Sequence, residues 1–272
     1  MVLVSIPAAA RADAPAWRTL LDEAQSARSA RRYHDALQLS DRAAFQGDEA
    51  RYHAARLRGD TLLDAGQAAA ALSTYDSIAD LAVPDSELDC ARGVALFELG
   101  KFPEANNALR SALRGKPDLA EAYYTLGLLA EILGTPGEEE LFRRARQLDS
   151  DRYPITPLMA HDTFVAAVDE ALASVPAHVA RALTDVPVLV VDVPHPEDLS
   201  RAQLPTPPTA MGMTIDHSQC GHPQCDEART ILLFKRNLER AAATGEQLQT
   251  KIRELVTHEV CRAGGLLPVG LV

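Results

Sequence analysis

The chain has 272 residues, of which 47% are hydrophobic and 24% are charged, and its formal net charge is −11. This length allows two domains of ordinary size, and this composition excludes a disordered chain. Residues 1–150 hold 17 basic and 23 acidic side chains, and residues 151–272 hold 10 and 15. Because neither half is basic and no apolar run approaches the roughly 18 residues of a spanning helix, we expect no nucleic-acid partner and no membrane partner.

The first 16 residues form a separate N-terminal segment. Met1 to Ala12 resembles the end of a signal peptide, with Ala10-Arg11-Ala12 as an A-x-A cleavage site, but the basic start of such a peptide is missing. A truncated signal peptide would place the protein outside the cytoplasm, for example in the periplasm. The other interpretation, a frayed Ala-rich segment before the first helix of a cytoplasmic protein, is favoured.

Two ladders of glycines recur with a period of 34 residues. The first ladder is Gly59, Gly93 and Gly127, and the second is Gly66, Gly100 and Gly134. Ala71 and Ala105 keep the same spacing. The pattern predicts a repeated helix–turn–helix unit, in which the first glycine lets a second helix approach closely and the second glycine ends the first helix.

This pattern resembles the tetratricopeptide repeat family, most closely over Ser86 to Asp118. The residues on the family's signature positions are Gly93, Gly100, Phe102, Ala105, Ala112 and Pro117. Neighbouring copies cover Tyr52 to Pro84 and Ala120 to Asp149, and an earlier copy, offset by one residue, covers Trp17 to Ala50. We therefore predict an α-helical repeat solenoid of about four repeats over residues 17–150.

The resemblance implies that the first helix of each repeat lines a concave groove for a protein or peptide partner. The matching positions are Arg56, Asp60, Leu63, Cys90, Val94, Phe97, Tyr124, Leu128 and Ile132. Family members that bind a peptide C-terminus use a Lys/Asn clamp, and Arg56 and Asp60 do not provide one. As an alternative, the apolar end of this groove packs against the chain's own C-terminal domain.

Residues 158–272 predict a small α+β domain after the short connector 151–157. The apolar spacing predicts helices at 158–174 and 246–263, strands at 186–193 and 230–234, and a loop at 194–219. One face of the first helix carries Phe164, Val168, Ala171 and Leu172, and the second offers Ile252, Leu255, Val256 and Val260 for burial.

The second of these helices carries residues typical of zinc peptidases. His258, Glu259 and Gly265 match the motif His-Glu-x-x-His-x-x-Gly, in which both histidines bind Zn²⁺ and the glutamate acts on the zinc-bound water. The order of helices and strands over about 158–265 resembles the minimal-zincin family of small bacterial metallopeptidase-like proteins. The resemblance implies that His258 is a zinc ligand and Glu259 a general base. However, Arg262 stands at the second histidine position, and a guanidinium has no lone pair for a metal, so the motif is degenerate.

A relocated zinc site is an alternative to loss of the metal. Cys220, His222 and Cys225 form a Cys-x-His-x-x-Cys cluster, which with His258 or Cys261 has donors suited to zinc. Two other interpretations stay open, namely a Cys220–Cys225 disulfide in an exported protein and loop cysteines without a partner.

Three hypotheses of function follow. The first is a protein-binding scaffold or adaptor, whose zincin-derived domain has lost or reworked its metal site. The second is a zinc-dependent metallopeptidase with a non-standard site, to which the repeats deliver substrate. In the third, the second domain fills the repeat groove and the two form one rigid body.

Overall fold

The structure is a computed structural model that describes residues 15–79, 85–176, 186–201, 206–216 and 229–263. The chain divides into two compact units, Met1–Thr125 and Leu126–Val272. The predicted signal-peptide remnant, the Cys220–Cys225 cluster and the glycine of the zincin motif lie outside the described residues. No helix in the described part of the chain is long and apolar enough to cross a membrane.

Helical hairpins make up the described chain up to residue 148. The helices are α1 (Ala16–Ser29), α2 (Tyr33–Ala44), α3 (Asp48–Asp64), α4 (Ala68–Asp76), α5 (Ser86–Glu98), α6 (Phe102–Gly115), α7 (Ala120–Ile132) and α8 (Glu138–Leu148). Within the first unit, each helix from α1 to α5 packs against the helix that follows it. The predicted architecture, a repeat array followed by a small α+β region, is confirmed.

The first glycine ladder marks close contacts between paired helices. A Cβ atom on Gly59 would lie 2.3 Å from the Tyr75 ring, and one on Gly93 would lie 2.7 Å from Leu109 Cγ. Gly127 has the same relation to Phe142 of α8, at 2.8 Å. The prediction that these glycines admit the second helix is therefore confirmed. Ala71 and Ala105, which keep the same spacing, are 0% exposed.

The second glycine ladder ends the first helix of each pair. Gly66, Gly100 and Gly134 have φ values of +74°, +70° and +61°. After each of them, the next amide donates to the carbonyl five residues back, as in Gln67 N to Leu62 O at 2.8 Å, which is the Schellman ending. In the first hairpin the equivalent residue is Arg31, with φ of +57°, and Arg32 N donates to Ala27 O at 2.9 Å.

The second unit adds a small sheet and further helices. They are α9 (His161–Ala173), β1 (Val188–Val191), α10 (Pro196–Arg201), β2 (Gly212–Asp216), β3 (Arg229–Phe234), α11 (Lys235–Arg240) and α12 (Gly245–Ala263). The strand order is β1-β3-β2, in which β1 runs parallel to β3 with Val188 opposite Ile231, and β2 runs antiparallel to it with Thr214 opposite Ile231.

Each face of the sheet carries its own apolar cluster. Ile231 and Leu233 point to a core formed with α9, α11, α12 and the turn between the last two. The other residues in it are Phe164, Val168, Ala171, Leu238, Ala242, Leu248, Ile252, Val256 and Val260. Leu232 and Phe234 face the other way and pack with Met213 and Ile215, with Leu199 of α10 against them. Alternation along β3 thus buries both faces of the central strand.

The predicted loop at 194–219 is wrong in two places, because it contains α10 and β2. Met213 and Ile215 are buried and alternate with Gly212 and Thr214, which is the period-2 pattern of a strand. The run is only five residues long and follows a Pro-rich stretch, so its alternation is too short to predict a strand. The predicted helices and the other two strands are present, with ends shifted by up to three residues.

Candidate functional site

The position of Glu259 is set by the buried face of α12. Leu248, Ile252, Val256 and Val260 recur every fourth residue on this face and are each at most 1% exposed. Glu259 lies beside Val260 and is itself only 4% exposed, whereas the His258 side chain is 47% exposed. The carboxylate is therefore held inside the second unit, and the imidazole lies at its surface.

The Glu259 carboxylate has polar neighbours on β2 and on its own helix. Thr214 Oγ1 of β2 donates to Glu259 Oε2 at 3.2 Å, and His258 Nδ1 lies 3.3 Å from Glu259 Oε1. Buried carboxylates require such partners because losing water is costly for a charged group. The sequence prediction missed Thr214, since it lies on the strand taken for a loop.

The described residues do not fit a zincin metal site. His258 offers a ring nitrogen, but the motif's second ligand position is the arginine at 262. Among the residues that the structure describes, no group of three or more His, Cys, Asp or Glu side chains is placed to hold a metal ion. Cys261 is a free thiol that packs against the apolar core of α9, α11 and α12. The other predicted ligands, Cys220, His222 and Cys225, lie outside the described chain.

In the repeat array, the polar members of the predicted groove bind other side chains of the chain. Arg56 forms ion pairs with Asp85 at 3.3 Å and with Glu87 at 3.2 Å. Asp60 accepts from the Tyr75 hydroxyl at 2.7 Å and lies 3.6 Å from the Arg28 guanidinium. A partner would have to displace these bonds to use either residue.

The Asp85 carboxylate is the centre of this ion-pair network. Its Oδ1 accepts from the amides of Glu87 and Leu88 at the start of α5, and its Oδ2 accepts from the Tyr52 hydroxyl. Burial alone would raise the pKa of Asp85, but the Tyr52 hydroxyl, the two amides and the Arg56 charge hold it below the ordinary value. Burial and the bond to Asp85 raise the pKa of Tyr52 to about 12.

The apolar members of the predicted groove differ in exposure. Four of them are buried, with exposed fractions below a tenth, namely Cys90, Phe97, Leu128 and Ile132. Leu63, Val94 and Tyr124 are half-buried. A ligand in the groove would therefore meet mainly these three side chains.

Comparison with known families agrees with both parts of the fold. Residues 93–134 match the family model of the TPR (tetratricopeptide) repeat. Residues 183–269 match the family model of the zincin-like metallopeptidases. The chain carries tetratricopeptide repeats and a zincin-like domain. His258, Glu259 and Thr214 all lie within the part that matches the zincin-like model.

Several solved structures are similar to this chain. A thermophilic TPR protein from Thermus thermophilus is 22% identical, over 62% of this chain and 91% of its own, with a TM-score of 0.46. A crystal structure of MamA is 19% identical, over 58% of this chain and 80% of its own, with a TM-score of 0.41. A double mutant of MamA RS-1 is 19% identical, over 49% and 75%, with a TM-score of 0.40. No curated protein matches the sequence.

Proposed function

We propose that this protein is a binding scaffold, in which the tetratricopeptide repeats hold a protein or peptide partner and the zincin-like domain has lost the conventional zinc site. The observation that carries the second part is the position of Glu259, whose buried carboxylate binds Thr214 of β2. In this role the carboxylate joins α12 to the sheet. No zinc-bound water is needed for it.

The substitution at the second ligand position supports the same proposal. A zincin needs two imidazoles one helical turn apart, and this chain has His258 and Arg262. A guanidinium stays protonated and would repel a cation at that place. His258 alone is too weak a site to hold zinc.

For the repeat array, the half-buried apolar positions support a groove for an extended or helical peptide. Leu63, Val94 and Tyr124 belong to the first helices of three successive hairpins, α3, α5 and α7. The resemblance to the tetratricopeptide repeat family supports partner binding on this face. Since both halves of the chain are acidic, we favour a partner with a basic or neutral surface.

Photo-crosslinking from the groove tests the scaffold proposal. A photoreactive phenylalanine analogue placed at position 94 or 124 of the full chain should crosslink the same partner in an extract of the source cells. The matched control is position 45, because Phe45 is 90% exposed at the end of α2 and lies outside the groove. Equal crosslinking from all three positions, or none from 94 and 124, would contradict the proposal.

The second candidate is a metallopeptidase with a non-standard zinc site. It is favoured by His258 and Cys261, which lie three residues apart on α12, and by the cluster of Cys220, His222 and Cys225 in the sequence. This candidate requires Glu259→Gln to abolish peptide cleavage in zinc-loaded protein. The scaffold proposal predicts that the wild-type chain shows no cleavage that depends on Glu259.

A further inference from the structure

The short helix α11 carries one pair of oppositely charged side chains that is almost completely buried. Lys235 Nζ donates to Glu239 Oε1 at 2.6 Å, and these two side chains are 7% and 1% exposed. The same carboxylate oxygen accepts from the backbone amide of Met159 at 2.8 Å, and Arg236 lies 3.5 Å from Glu239 Oε2. One side of α11 is thus bonded to the connector that precedes α9.

Another side of α11 binds the last helical hairpin of the array. Arg240 forms an ion pair with Glu131 of α7, and Arg236 lies 4.0 Å from the same carboxylate. The Arg240 guanidinium also lies 5.2 Å from the ring centroid of Phe142 in α8. Glu131 and Arg240 are 18% and 16% exposed, so water screens this pair only weakly.

The apolar residues of α11 belong to the core of α12. Leu238 and the following Ala242 are 0% and 4% exposed, and they lie in one cluster with Ile252, Val256 and Val260. Cys261, two residues after Glu259, packs on this cluster. A continuous series of contacts therefore leads from α7 through α11 to the helix that carries His258 and Glu259.

The helix cannot keep this position without both neighbours. With six residues, α11 is far below the roughly 12–15 that an isolated helix needs to form in water. The charges of Lys235 and Glu239 are also buried, and removing one member of a buried pair leaves the other without compensation. Loss of either set of contacts should therefore release the other.

We infer that residues 126–148, α11 and α12 open and close as one cooperative unit, with the Glu131–Arg240 pair as its connection. Opening of the last hairpin of the array should then be accompanied by opening of α12. This inference is independent of the proposed function, since it holds whether or not the array binds a partner and whether or not the zincin-like domain is active.

Arg240→Met in the full chain tests the inference, because methionine keeps an apolar stem and removes the charge. Two rates are measured. The first is amide hydrogen exchange of residues 126–148, and the second is alkylation of Cys261, which is monitored by the mass of the peptide that contains it. We expect both rates to rise together by about tenfold, which is the scale of coupling between contacting residues. Glu131→Gln removes the same pair from the α7 side and should give the same joint increase.

The matched control is Arg92→Met, because Arg92 makes its ion pair with Asp76 in the first unit. It should leave both rates unchanged. Faster exchange in residues 126–148 with an unchanged Cys261 rate would overturn the inference, since the last hairpin would then open by itself. No change in either rate would overturn it too. If Arg240→Met fails to fold, Glu131→Gln decides on the same criteria.

Discussion

At the scale of single residues, one position shows how a repeat signature can be kept without its usual residue. Arg31 closes α1 with φ of +57°, as Gly66 closes α3 with φ of +74°. An L-residue with a side chain pays a steric penalty in this conformation, whereas glycine does not. The first repeat therefore keeps the turn and lacks the glycine, which is why its sequence resemblance is weaker.

Arg31→Gly should stabilise the first hairpin by about 0.5–1 kcal/mol, because relief of the left-handed strain exceeds the extra chain entropy that glycine adds to the unfolded state. The check is the urea midpoint of the helical signal in circular dichroism. Gly66→Ala is the matched control and should lower the midpoint. A lower midpoint for Arg31→Gly would show that its side chain makes a contact worth more than the strain.

The lowered pKa of Asp85 predicts how the stability of the repeat array changes at low pH. A carboxyl group whose pKa is lower in the folded state adds stability above its unfolded pKa of about 3.9, and this stability is lost as the pH falls through the folded value. Asp85→Asn should therefore destabilise the array at pH 7 and flatten the decline in melting temperature below pH 5. Asp48→Asn, whose side chain is 92% exposed, should leave this decline unchanged.

At the scale of elements, the helices and strands that could be predicted are those with a long or repeated sequence pattern. The 34-residue glycine ladders predict the helical hairpins, and the periodic apolar residues of α9 and α12 predict these two helices. Strand β2 was missed because five residues with one glycine give too short an alternation. This strand makes contacts that are distant in sequence, such as that of Thr214 with Glu259, 45 residues away, and a local pattern does not contain them.

Gly93→Ala tests the close approach of α5 and α6. The new methyl group would lie 2.7 Å from Leu109 Cγ and 3.2 Å from the Leu109 backbone nitrogen, so the backbone would have to move. We expect a net loss of about 1–2 kcal/mol, since overpacking outweighs the gain of roughly 1 kcal/mol in helix propensity. Gly245→Ala, with no atom within 4 Å of the added methyl group, should change stability by less than about 0.5 kcal/mol.

Glu259→Ala should destabilise the zincin-like domain by about 1–3 kcal/mol, because it leaves Thr214 without its acceptor and opens space beside α12. Chemical denaturation of the full chain measures this loss. The matched control is Glu254→Ala, an exposed site on the same helix, for which we expect a change within about 0.5 kcal/mol. An equal and small effect of both variants would mean that Glu259 does not join α12 to the sheet.

At the scale of the whole molecule, the contacts of α11 could not be predicted. The Lys235–Glu239 spacing is common on exposed helices, and nothing local distinguishes a buried pair from a solvated one. Glu131 and Arg240 are separated by 109 residues, so their pairing depends on how the last hairpin packs within the second unit. The families of both parts could be predicted, whereas the residues that connect them could not.

The central claim is that the zincin-like domain holds no catalytic zinc at His258. Elemental analysis of the purified, reduced full chain after incubation with zinc, run beside His258→Ala, tests it most directly. The account predicts that the two proteins carry the same zinc content, whatever Cys220, His222 and Cys225 bind. About one zinc per chain that is lost in His258→Ala would contradict the account, because His258 would then be a ligand and Glu259 would have a metal-bound water to act on.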